Sequence, residues 1–302
     1  TLCRWRSGVP LLVLQAVLLR DVSDEQIDVE DAADELERHS FIEIIESDTE
    51  NQRYLNVPTT AWEYGNKKLK ISSLRSAVEA DYHLLYLFGP RLKTGSAEGI
   101  KSHIDKFIKY IASDNLENKS NLEKYIPILE NIAHGNPRTW IDLALLYLEK
   151  NRRIDAKKAV NRFLLTDDQS RNKEIGWDLM IKLNQLSGDA KGEAHAIIEK
   201  CKISSLAFYM ISNSAGQLNY LFQIHHDVFE REEKEIITKQ LISIMEKRLD
   251  EASATDMSRL AWLHIRTGGT DRAYELAVEG INIEKDNEHC LRIEEKLRPE
   301  IH

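Results

Sequence analysis

Apolar positions along most of this chain recur three and four residues apart. Ile100, Ile104, Phe107, Ile108 and Ile111 fall on one helical face, the stripe an amphipathic helix turns towards a core. Similar spacing runs from about Leu74 through Tyr82, Leu85 and Phe88, where Gly89-Pro90 predicts a stop. Ser120 and Glu123 predict the cap of another helix, with Ile126, Leu129 and Ile132 apolar and Gly135-Asn136-Pro137 closing it. Helices of about 12 to 18 residues, joined by short polar breaks, are expected to the end of the chain.

The first 66 or so residues read differently. Val9 to Leu19 is a continuous apolar run that predicts a first helix. Ser23-Asp24-Glu25-Gln26 has the capping-box pattern and opens a short helix through Ile27; a further helix covers roughly Val29 to His39. Phe41-Ile42-Glu43-Ile44-Ile45 is rich in β-formers, Asp48-Thr49-Glu50-Asn51 supplies a turn, and Tyr54-Leu55-Asn56-Val57 is a second short strand. Helix, helix, helix, hairpin is the order of a winged helix, and this is the only convincing strand pair in the sequence. Thr60 and Glu63 form a capping box for a helix carrying Trp62 and Tyr64. Lys67, Lys68 and Lys70 then read as a short basic connector.

The helical remainder contains a repeat signal. Trp140-x2-Leu143-Ala144-x2-Tyr147 reproduces the tetratricopeptide pattern W-x2-L-G-x2-Y with Ala for Gly. Ala156 falls at the small position of the second helix, with Val160 where Phe is usual and Asp167-Asp168 where Pro is usual. A second window is Leu260-Ala261-x2-His264, followed by Gly268, Ala273 and Ala277, then Lys285-Asp286-Asn287. Small residues suit helices that cross closely. Ala156 and Ala273 are 117 residues apart, so repeats between them, from Trp177 to Ile198 and from Ile203 to Leu249, are irregular. Trp140, Tyr147 and Trp262 are expected as core knobs. The expected fold is mostly α: a winged-helix-like domain with a short β-hairpin over residues 1–70, then a tetratricopeptide-like α-superhelix over 71–302.

Composition agrees with this. Gly is 13 and Pro 6 of 302, about half the combined usage of about 12%, which argues against sandwiches, barrels and propellers. The three cysteines, Cys3, Cys201 and Cys290, have no metal or disulfide spacing. A reducing, cytoplasmic setting is expected, with Cys201 and Cys290 as inert packing residues. Arg4 and Arg6 before an apolar run outline a signal peptide, but the run ends in Arg20-Asp21 without a small-residue cleavage site and is too short to span a bilayer. A buried first helix is the preferred reading, and no membrane partner is expected.

Catalytic signatures are absent from the sequence. It holds no G-x-x-x-x-G-K-[ST] loop, no dinucleotide fingerprint, no G-x-S-x-G elbow and no H-E-x-x-H. His225 and His226 are adjacent, so on a helix they would point about 100° apart. No catalytic residue, metal or cofactor is expected. The net charge is −9, yet residues 21–50 alone hold thirteen Asp or Glu against one Arg, Arg38. The helix that would enter a major groove carries Glu30, Asp31, Asp34, Glu35 and Glu37 and would repel a duplex, so no nucleic acid is expected as a partner. The basic cluster Lys67, Lys68, Lys70 and Arg75 sits at the junction of the two expected domains. It reads as a solvated stretch or as an electrostatic partner for the acidic winged helix or a phosphate-bearing ligand.

The order of parts resembles the C-terminal portion of STAND-type signalling NTPases, which include bacterial antiviral and regulatory members. The resemblance rests on Glu35-Leu36-x2-His39-Ser40-Phe41-Ile42-Glu43 as a helix-to-wing passage and on Tyr54-Leu55-Asn56-Val57-Pro58 as the strand leaving the wing. Where many members carry an ADP-contacting His, this sequence has Asn56 and Val57. The resemblance implies an upstream NTPase or effector domain in cis, helical repeats that sense a ligand, and oligomers in the full-length context. The function expected is that of a non-catalytic sensor and scaffold. It would bind a protein or peptide, with Trp62, Tyr64, Lys67, Lys68 and Lys70 as partner-binding candidates. The opposing expectation is a transcription regulator with a DNA-binding winged helix and a tetratricopeptide-like sensor.

Overall fold

A computed structural model describes residues 1–4, 8–18, 28–47, 52–88, 100–113, 119–166 and 170–298. Among them the chain is mostly helical, with fifteen α-helices and one three-stranded sheet. It divides into two compact units, Thr1–Ala159 and Val160–His302. The boundary expected near residue 70 lies inside the first of these. The expected short helix at 23–27, the turn at 48–51, the stop at Gly89-Pro90 and the Asp167-Asp168 pair lie outside the described residues.

In the first unit the elements are β1 (Val9–Pro10), α1 (Leu11–Leu18), α2 (Val29–Arg38), β2 (Glu43–Ser47), β3 (Gln52–Asn56), α3 (Thr59–Lys70), α4 (Arg75–Leu87), α5 (Ile100–Ser113), α6 (Lys119–Gly135) and α7 (Thr139–Glu149). Helix α1 is apolar on nearly every side, and such a helix belongs inside. Leu11, Val13, Leu14, Ala16 and Val17 are buried, and α1 packs against α2, α4, α6 and β3. Gly135 permits the approach of α6, since a Cβ there would stand 2.6 Å from Leu12 Cδ1. The early apolar run is therefore a core helix. Among the described residues no helix is long and apolar enough to cross a membrane.

The sheet has strand order β1-β3-β2 and is antiparallel throughout. The expected hairpin is present as β2 and β3, with Ile44 opposite Leu55 and Ile45 opposite Tyr54. The third strand corrects the sequence reading, for Val9 pairs with Leu55 and Pro10 with Tyr54, and the first helix starts only at Leu11. A two-residue strand carries no alternation to read. Pro10 lacks an N–H and suits an edge strand.

Helix α3 brings two further corrections. Its N-cap is Pro58 and no side chain caps it, so the Thr60–Glu63 capping box does not form. Lys67, Lys68 and Lys70 lie within α3 near its end rather than in a connector. Lys is a good helix former, and cations near a helix C-terminus offset its dipole. Helix α6 likewise starts before Ser120, at Lys119. The predicted stripe on α5 is buried at Ile104, Phe107 and Ile111. Phe107 stacks on Phe88 at 4.1 Å and takes the edge of Tyr125 at 5.5 Å.

Helix α8 (Arg153–Thr166) contributes residues to both units. The second unit continues with α9 (Ser170–Ser187), α10 (Ala190–Cys201), α11 (Phe208–Ile224), α12 (Arg231–Glu246), α13 (Ala254–Arg266), α14 (Thr270–Ile283) and α15 (Glu288–Leu297). Each helix packs on its neighbour in sequence from α9 to α15, and α10 also meets α12, α11 meets α13 and α13 meets α15. Gly280 on α14 faces Cys290 on α15, where an added Cβ would collide with the sulfur.

The two repeat windows lie on α7–α8 and α13–α14. Trp140, Leu143, Ala144, Tyr147, Ala156 and Val160 are buried, as are Leu260, Ala261, Ala273 and Ala277. Trp262 is not the expected core knob, for it is 47% exposed with Lys296 Nζ 5.7 Å from its ring. It follows Ala261 directly, as the exposed Leu145 follows Ala144, and Met257 takes the buried place of Trp140.

Candidate functional site

Two concavities stand out, one in each unit. The first is a cavity of about 480 Å3 in the N-terminal unit. Leu14 and Leu18 of α1, Val29, Ala32, Ala33 and Leu36 of α2, and Leu55 of β3 line it, with Ala61, Tyr64 and Gly65 of α3 closing one side. Helical spacing places these residues together: 29, 32, 33 and 36 recur on one face of α2, and 61, 64 and 65 on one face of α3. Gly65 lets the N-terminal segment come close, as a Cβ there would meet Cys3 Cβ at 2.6 Å. Asn66 fixes that contact by donating to the Cys3 carbonyl at 2.5 Å and to the Trp62 carbonyl at 2.9 Å.

The five predicted partner residues all sit on α3 but do not form one patch. At 100° per residue Lys68 lies about 40° from Tyr64, Lys67 and Lys70 about 60° and 120° round the other way, and Trp62 nearly opposite. Lys68 Nζ lies 5.5 Å from the Tyr64 ring centroid, within cation–π range. Tyr64 is 52% exposed and its ring is 5.9 Å from that of Phe41. Trp62 is half-buried on another side of the helix, and Lys67 and Lys70 are exposed.

The acidic helix α2 has partners of its own. Arg53 of β3 donates to Glu30 at 2.8 Å and to Asp34 at 2.6 Å. These bonds, that to Asp34 first, push the guanidinium pKa further up and keep it charged. Glu35 is bonded to Arg38 and to His39. Glu37 accepts the Ile44 N–H at 3.0 Å, tying the end of α2 to β2. A count over residues 21–50 could not see Arg53, which lies just past that window in sequence and beside α2 in space.

The second concavity is a groove of about 540 Å3 on α9, α10 and α11, which the sequence reading missed. Asp178, Ile181 and Gln185 recur at helical spacing on α9, and Glu193, Ile197 and Lys200 on α10. On α11 the lining residues are Tyr209, Met210, Asn213, Ser214, Gln217, Tyr220, Leu221 and Ile224. Tyr209, Asn213, Gln217, Tyr220 and Ile224 are its exposed residues, and they run beside the buried stripe of Ile211, Ala215 and Leu218. That doubled periodicity was the available signal. Tyr209 and Tyr220 are 59% and 65% exposed. Lys200 pairs with Asp178 at 2.7 Å, and Gln185 donates to Glu193 at 2.8 Å. Exposed Asn213 and Gln217 each offer an amide donor and acceptor.

Searched against protein-family models and against curated proteins, the chain matches none.

The remaining candidate chemistry is quiet. Burial pushes the Cys201 thiol up from its ordinary pKa, opposed by its bond to Ser214 Oγ at 3.2 Å. Burial does the same to Cys290, which donates to the Ala254 carbonyl at 3.3 Å. Thiols held in this form are poor nucleophiles. His225 and His226 lie beyond the end of α11 rather than on a helix. Among the described residues no group of three His, Cys, Asp or Glu is placed to hold a metal ion.

Proposed function

We propose that this chain is a non-catalytic sensor and scaffold region whose helical repeats bind a protein or peptide. In this reading residues 71–302 belong to a tetratricopeptide-like array and residues 1–70 to a winged helix. That part couples binding to a neighbouring NTPase or effector domain in cis, within the cytoplasm. The observation that carries it is the α9–α11 groove. Three helices contribute one stripe each, with exposed tyrosines for apolar contact and amides for a peptide backbone. Helix arrays present such concave surfaces to extended ligands. The repeated small positions Ala144, Ala156, Ala261 and Ala273, all fully buried, support the array. The acidic face of α2 speaks against duplex binding there, for it would repel phosphates.

The test is selection of displayed random peptides on the immobilised chain. Enriched sequences should bind the wild type and lose at least tenfold in affinity to a Tyr209→Ala, Tyr220→Ala double variant. Failure to enrich any sequence, or equal affinity for the double variant, overturns the proposal.

A further inference from the structure

The cavity beneath α3 suggests a ligand of a different kind. Among the described residues its lining side chains are uncharged, with Thr1, Cys3 and Tyr64 its few polar ones. A space of this size is within the range that takes small ligands. It is open along an apolar rim where Leu36, Phe41 and Tyr64 are each substantially exposed. Beside that rim is a lysine. Ala61, Tyr64 and Gly65 line the cavity, and Lys68 is the next residue on the same face of α3, its ammonium against the Tyr64 ring. The carboxylates flanking Leu36 are already engaged, Glu35 with Arg38 and His39 and Glu37 with the Ile44 N–H.

An apolar cavity with a lysine at its edge matches a single-chain amphiphilic anion. We propose that the cavity binds a free fatty carboxylate, its chain between α1, α2 and α3 and its head at Lys68. The long Lys side chain suits this, because its methylenes lie along apolar surface while the ammonium stays in water.

Calorimetric titration of the chain with octanoate, decanoate and dodecanoate, each below its micelle-forming concentration, tests this. Affinity should rise about fourfold per methylene. Lys68→Ala should weaken dodecanoate by up to about fivefold and leave dodecanol unchanged. Ala61→Phe from the α3 wall and Ala32→Phe from the α2 wall should each abolish binding, with circular dichroism melts showing that the variants fold. The inference is overturned by absence of dodecanoate binding to the wild type, or by equal binding to both folded plug variants. Dodecanol binding as tight as dodecanoate also overturns it, as does a Lys68→Ala variant that binds dodecanoate undiminished.

Discussion

The α7–α8 and α13–α14 segments are alike in backbone and different in side chain. Both first helices end in an equivalent hydrogen bond, Arg152 N–H to Tyr147 O in one and Gly269 N–H to His264 O in the other, each 2.8 Å. Both then pass through a left-handed residue, Asn151 at φ 58° and Gly268 at φ 84°. Ala144 and Ala261 are fully buried at equivalent places, as are Ala156 and Ala273. The large positions differ. Trp140, edge-on to His134 at 5.5 Å, corresponds to Met257. Tyr147, with the Arg152 guanidinium 4.8 Å from its ring, corresponds to His264, which bonds Glu246 at 2.9 Å. Small residues and the left-handed turn are thus common to both segments, while the bulky positions differ.

The sharpest way to break this comparison is to truncate its two tryptophans. Trp140→Ala empties a fully buried site and should cost about 3–5 kcal/mol. Trp262→Ala, at a half-exposed site, should cost under about 1 kcal/mol. Equal losses in denaturant melts would mean the assigned register is wrong. The turn residues should respond with opposite signs. Gly268→Ala forces a Cβ into left-handed backbone and should destabilise by about 1–2 kcal/mol, whereas Asn151→Gly should gain up to about 1 kcal/mol. Losses at both positions would show that Asn151 does more than turn the chain.

The smallest expected effect concerns acid. Bonds from Arg272, then from His264, hold the Glu246 carboxyl below its ordinary 4.5 against the opposing effect of burial. The stabilisation is full above about pH 4.5 and is lost as pH falls through the lowered pKa. Glu246→Gln should remove on the order of 1 kcal/mol at pH 7 and flatten the decline in melting temperature below pH 4.5. An unchanged acid limb would assign that decline elsewhere.

Much of the helical fold was legible because periodic apolar stripes are a local signal. The buried stripe on α5 and both alanine windows could be read directly. Val9–Pro10 could not, since its pairing with Leu55 and Tyr54 is a long-range contact without a local pattern. Trp262 misled because aromatic type was weighed above its place one residue past Ala261. Of the candidate sites, Tyr64 and Lys68 were picked for their chemistry, and the structure adds their contact and the cavity that Tyr64 lines. The α11 groove was hidden because its second stripe mixes Tyr, Asn, Gln and Ile, which reads as an ordinary solvated face.

The claim that the groove recognises a peptide is tested most directly by comparing one selected peptide on two proteins. The wild type should bind it, and Tyr209→Ala with Tyr220→Ala should weaken it at least tenfold without moving the melting temperature, because both rings are exposed. Undiminished binding by the folded double variant would contradict the account.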